Sequence, residues 1–100
     1  MTYLTTIAHR ITSDGGTVVL GIQPMPSPAL QPPGEPSWDD YRAAVLALGN
    51  QLHCQVIDQS HLWGSDYSVG EAAGKYADPI HPSDAGARDI ADSIWDALTR

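Results

Sequence analysis

Residues 17–22 read Thr-Val-Val-Leu-Gly-Ile, and residues 53–58 read His-Cys-Gln-Val-Ile-Asp. Each is a short run carrying β-branched residues, and the first lies between the pair Gly15–Gly16 and a proline cluster. Both therefore predict strands, the first of them buried. Between them, Ser37 is placed to cap a helix running to about residue 52, in which Trp38, Tyr41, Val45, Leu48 and Leu52 share one face. A strand, a helical crossover and a second strand imply a right-handed parallel pair with helices against its faces.

Working outward from this unit, Leu4, Ile7, Ala8 and Ile11 recur at helical spacing and predict a helix over 2–13, with Thr2 as its cap. Asp14, Gly15 and Gly16 end it. No phosphate-binding glycine pattern follows, so the glycine pair reads as a helix-terminating turn. Residues 23–36 hold six of the eight prolines, which predicts an extended loop without regular structure. Residues 59–80 are polar and dotted with glycine, and read as a second long loop. After His81, Pro82 suits a first helical position and Asp84 a first turn. Ala87, Ile90, Ala91, Ile94, Trp95 and Leu98 then form an apolar stripe, with Arg100 near the helix's negative pole.

The predicted order is α-β-α-β-α in a single domain spanning 1–100. Two parallel strands fall short of the roughly three that a sheet needs for independent stability, so the chain reads as part of a larger α/β fold. Residues 17–22 are apolar on both faces, as suits an interior strand, but only 53–58 can pair with them. One edge is expected to stay open, with Leu4, Ile7 or Ile11 adding to an exposed patch. That predicts self-association through strand 17–22, or binding of a complementary chain there.

Composition narrows the function classes. The chain has 100 residues, 42% hydrophobic and 17% charged, which suits a packed domain rather than a disordered tract. Its net charge of −7 has the wrong sign for neutralising phosphates, which argues against nucleic-acid and anionic-membrane partners. No apolar run is long enough to cross a bilayer, and Met1 to Ile11 lack the basic start and apolar stretch of a signal peptide. Cys54 is the single cysteine, which rules out an internal disulfide; it reads as a small buried hydrophobe. His53, Cys54, Asp58 and His61 do not make a metal set, because neighbouring strand residues point to opposite faces and no CxxC or HExxH spacing occurs. No metal or organic cofactor is expected.

The segment with chemical content is Asp78-Pro79-Ile80-His81-Pro82-Ser83. A serine esterase needs a base that can take a hydroxyl proton near neutral pH, and imidazole is the side chain suited to it. A carboxylate three residues upstream can reach the ring across a tight turn, hold its tautomer and stabilise the imidazolium. Pro79 and Pro82 restrict the backbone on either side. An Asp before a helix and a His beside proline are also common turn residues, so the spacing alone leaves both readings open.

The element order favours the chemical reading. The DxxHP block, the strand entering a proline-rich loop (GIQPMPSP, 21–28), the helix bearing Trp38 and Tyr41, and the strand ending in Asp58 together resemble the C-terminal half of the SGNH (GDSL-type) hydrolase family. The resemblance implies a partial flavodoxin-like three-layer sandwich, two parallel strands with three helices. It implies Ser-His-Asp ester hydrolysis with His81 as base and Asp78 as its partner, on esters such as acyl groups of carbohydrate or lipid. Trp63, Tyr67 and Tyr76 would line an acyl or sugar pocket near His81, or else cover a local core. The family's GDS nucleophile block and its Gly and Asn oxyanion blocks are absent; Gly64-Ser65-Asp66 and Ser68-Val69-Gly70 match neither GDS at a strand end nor GxSxG. The expectation is therefore a chain inactive alone, needing a partner for the Ser nucleophile and oxyanion hole. The alternative is a non-catalytic remnant of the fold acting as a structural or interaction module.

Overall fold

The computed structural model describes residues 2–31 and 36–100, so Pro32 and Pro33 of the predicted loop lie outside the described residues. Helix α1 covers Thr2–Ser13, strand β1 Val19–Ile22, helix α2 Trp38–Leu52, strand β2 Gln55–Asp58, helix α3 Tyr67–Ala72 and helix α4 Asp84–Thr99. The α/β class holds, and the five predicted elements occur in the predicted order, with a 3-10 turn and the short helix α3 added between them. Both strands are shorter at their starts than predicted, and α1 begins at Thr2 itself rather than being capped there.

Helix ends follow their local chemistry. Gly15, at φ +85°, lets Gly16 N–H donate to the Ile11 carbonyl at 2.9 Å and Gly15 N–H to Thr12 at 3.1 Å, the paired bonds of a Schellman stop. The Ser37 hydroxyl accepts from Asp40 N–H while the Asp40 carboxylate accepts from Ser37 N–H, a complete capping box. At the other end of α2 the left-handed position falls to His53, at φ 53°, where glycine is the unstrained choice. Two short elements interrupt the predicted loops: a 3-10 turn at Pro28–Leu30, seeded by Ser27 accepting from Ala29 N–H, and helix α3, capped by Asp66. Periodicity missed both because each is only one or two turns long.

Strands β1 and β2 pair in parallel, Val19 opposite Gln55 and Ile22 opposite Asp58. Successive strand residues point to opposite faces. Val56 meets α2 so closely that a Cβ on Gly49 would lie 2.2 Å from its Cγ2. Gln55 on the other face donates to the Ala97 carbonyl of α4 at 3.1 Å, and beyond the strand Gln59 donates to Ile90 at 3.0 Å. The sheet thus sits between α2 and α4.

The core is small. Ala8, Leu20, Ile22 and Leu48 are buried, while Val19 is exposed, as is Gly21. β1 has one covered face, not the two expected of a strand buried in a sheet interior. Among the described residues it pairs only with β2, so its other edge is open to a further strand. The stripe predicted on α4 is likewise covered only in part, with Ile90 half-buried and Ile94, Trp95 and Leu98 exposed. Tyr41 on α2 is also exposed. Among the described residues no helix is long and apolar enough to cross a membrane.

Candidate functional site

The turn before α4 brings Asp78 and His81 together. One carboxylate oxygen of Asp78 accepts from the backbone N–H of Ile80 at 2.8 Å and of His81 at 2.7 Å; the other lies 2.8 Å from His81 Nδ1. Ala77 N–H donates to the His81 carbonyl at 2.9 Å, and Tyr76 and Pro82 form an antiparallel bridge, closing the turn around the pair. The His81 backbone bond, then that of Ile80, then the His81 ring hold the Asp78 carboxyl down at a pKa of about 2. Ionised, it can only accept hydrogen bonds, so the proton between the two groups belongs to Nδ1 and the neutral ring keeps its lone pair on Nε2. Both side chains are open to solvent, 47% for Asp78 and 73% for His81.

The turn is anchored at both ends. Pro82 precedes α4 instead of opening it; the cap is Ser83, whose hydroxyl accepts from Gly86 N–H at 3.2 Å and donates to the Gly74 carbonyl at 2.6 Å. Ser83 N–H donates to Lys75 at 2.8 Å, and that carbonyl passes so near α4 that a Cβ on Gly86 would sit 2.1 Å from it. Only glycine leaves room. From the loop after β1, Ser27 N–H donates to the Pro79 carbonyl at 2.8 Å, and the Met25 carbonyl accepts the Tyr76 hydroxyl at 2.6 Å. These bonds hold the pair beside the loop that leaves the carboxyl end of β1, the end at which open α/β sheets place their ligands.

Trp63, Tyr67 and Tyr76 pack on one another. The Trp63 and Tyr76 rings meet edge-on with centroids 5.1 Å apart, and Tyr67 and Tyr76 lie 4.5 Å apart. Trp63 Nε1 donates to Asp89 of α4 at 2.9 Å, and Lys75 pairs with the same carboxylate at 2.7 Å. Trp63 borders a cleft along α4, whereas Tyr67 borders a cavity of about 220 Å³ with Met25, Trp38 and His61. Neither of these two cavities is lined by Asp78 or His81, so the structure does not bring the three rings and the pair into one of them. Tyr67 is nevertheless in electrical reach of the pair. Burial, the neighbouring Glu71 and the charge on Asp78 raise its phenol above the usual range.

A second polar cluster was not legible in the sequence. Arg42 of α2 reaches Asp58 at the end of β2, at 2.9 Å through Nε and 2.8 Å through a terminal nitrogen, and its Nε also donates to the Ser60 hydroxyl at 2.9 Å. Burial pushes the Asp58 carboxyl up, but bonds from the Ser60 hydroxyl and N–H, and then Arg42, outweigh it and leave the group below its usual range. No local spacing links Arg42 to Asp58; only the crossover brings them together.

Among the described residues no group of three or more His, Cys, Asp or Glu is arranged to hold a metal. The Ser68 hydroxyl donates to Asp66 at the start of α3, and Ser83 is committed to Gly74, so neither offers a proton to His81. Compared with known proteins, the chain matches no family model, no curated protein and no solved structure. The likeness to SGNH hydrolases accordingly rests on the residues alone.

Proposed function

We propose that this chain contributes the His-Asp pair of a Ser-His-Asp ester hydrolase of SGNH type, with a second polypeptide supplying the nucleophile and oxyanion donors. The observation that supports it is the contact of His81 Nδ1 with Asp78, whose carboxylate is held ionised by two backbone N–H groups. In such a site His81 Nε2 takes the hydroxyl proton as the Ser oxygen attacks the ester carbonyl, then returns it to the leaving alcohol. Asp78 keeps the ring in the required tautomer and stabilises the imidazolium. Without the Ser and the oxyanion donors, the pair has nothing to deprotonate and no means of stabilising the tetrahedral intermediate.

The test has two parts. Nitrogen-15 NMR of the purified chain should show His81 protonated at Nδ1 in the neutral ring. Hydrolysis of p-nitrophenyl acetate should stay at background for the chain alone, and appear when a polypeptide bearing a GDS nucleophile block and the oxyanion donors is added. Turnover by the pair that is indifferent to His81→Ala refutes the proposal. Turnover by the lone chain that His81→Ala abolishes would reveal a nucleophile within 59–80.

A second reading, a non-catalytic remnant serving as a structural or interaction module, is favoured by the wide exposure of the pair. A wrong tautomer at His81 would turn the choice toward it.

A further inference from the structure

Where β1 ends, its last residues and helix α2 border a cavity of about 520 Å³. Small-molecule sites typically measure about 300 to 1,000 Å³. The cavity lies at the carboxyl end of the strand, where open α/β sheets receive ligands, and neither Asp78 nor His81 lines it. Ile22, Met25 and Pro26 line it from the strand and its loop, and Trp38, Tyr41 and Val45 from α2. The Trp38 indole is fixed by donating from Nε1 to the Ser27 carbonyl at 3.4 Å, and the Tyr41 ring lies 6.2 Å from it. These side chains give the cavity an apolar body.

Gln59 and Arg42 give it a polar end. Gln59 is 5% exposed, and its amide nitrogen donates to the Ile90 carbonyl at 3.0 Å, while its oxygen accepts no bond among the described residues. No described polar side-chain atom is both sealed from solvent and unpartnered. The oxygen therefore reaches open space, and the open space that Gln59 borders is this cavity. Arg42 commits Nε to Asp58 and Ser60 and one terminal nitrogen to Asp58. Its other terminal nitrogen keeps its N–H donors, and the Asp58 carboxylate answers its charge. An anion thus gains little here, and a carboxylate has no proton for Gln59. A sugar, polar all round, would leave hydroxyls unpaired against Ile22, Met25 and Pro26. A bare hydrocarbon would leave the Gln59 oxygen unpaired. A single hydroxyl on an apolar body satisfies both ends.

We propose that this cavity binds a neutral aliphatic alcohol. Its hydroxyl donates to the Gln59 amide oxygen and accepts from Arg42, and its chain lies against Met25, Trp38, Tyr41 and Val45. The site is independent of the ester chemistry, and its test reads binding to the lone chain without any turnover.

Nitrogen-15 NMR of the purified chain, titrated with n-butanol, n-hexanol and n-octanol, tests it. Saturable shifts are expected at the Trp38 indole N–H and the amides of 21–26 and 41–45, while the Trp95 indole, on the exposed stripe of α4, stays unmoved. Each added methylene should tighten binding about fourfold. Butyl ethyl ether, an isomer of n-hexanol without a hydroxyl proton, should bind at least about fivefold more weakly, because the Gln59 oxygen is left unpaired. Val45→Trp fills the cavity and should erase the shifts with an unchanged circular dichroism spectrum. If that variant does not fold, Tyr41→Ala, at a position 51% exposed, should weaken binding several-fold. Ether and hexanol binding equally, or octanol binding no tighter than butanol, overturns the proposal. So do shifts confined to α1 or α4, and so do shifts of the same signals on raising the protein concentration without alcohol, which would mean that a second copy fills the cavity.

Discussion

Replacing Gly86 with alanine should loosen the segment that carries Asp78 and His81. In an exposed helix the change would be favourable, since alanine exceeds glycine in helix propensity by about 1 kcal/mol. Here the added Cβ would lie 2.1 Å from the Lys75 carbonyl oxygen, 3.1 Å from its carbon and 3.2 Å from Pro82 Cβ. A carbon and a carbonyl oxygen rest about 3.3 Å apart at closest, so the backbone at Lys75 must retreat by about 1 Å. That carbonyl accepts from Ser83 N–H at 2.8 Å, and Gly74 beside it accepts from the Ser83 hydroxyl at 2.6 Å. Retreat stretches both bonds beyond a useful length, at about 1 kcal/mol each, and forced overpacking adds about 1 to 3 kcal/mol. After subtracting the propensity gain, Gly86→Ala should destabilise the chain by about 2 to 4 kcal/mol, lowering the melting temperature by roughly 8 to 32 °C. Urea and thermal unfolding followed by circular dichroism measure this. Gly21→Ala is the control, because nothing lies within 4 Å of a Cβ at Gly21. If Gly86→Ala unfolds no earlier than the unaltered chain, the close approach of residue 75 to α4 is wrong, and with it the account of how the turn is held.

Two further outcomes follow from local geometry. His53→Gly should stabilise the chain by about 0.5 to 1 kcal/mol, by removing a side chain from a left-handed position; an unfolding midpoint that does not rise would mean the imidazole makes a compensating contact. The Asp78 carboxyl, held down at about 2, contributes stability that is complete above the ordinary aspartate range and fades as pH falls through about 2. Asp78→Asn should flatten stability against pH in that acid window while leaving the slope near neutrality unchanged, and an unaltered acid slope would show that the two N–H bonds to the carboxylate do not form.

The chain's own pattern determined most of the architecture, because its signals are local. Helical spacing in α1, α2 and α4, the Ser37 cap, the glycine stop after α1 and the two β-branched runs each act within one element. The Asp78–His81 contact belongs to the same class: three residues apart in a proline-flanked turn, its geometry needs no distant partner beyond the turn. Tertiary structure decided what depends on which surfaces meet. The burial of one face of β1 rather than two reflects how few elements are present to cover it. The open stripe on α1, the packing of Trp63, Tyr67 and Tyr76 on one another, and the Arg42–Asp58 pair across the crossover have the same origin. Periodicity states that a face is apolar; it carries no information about whether another element of the chain is within reach to bury it.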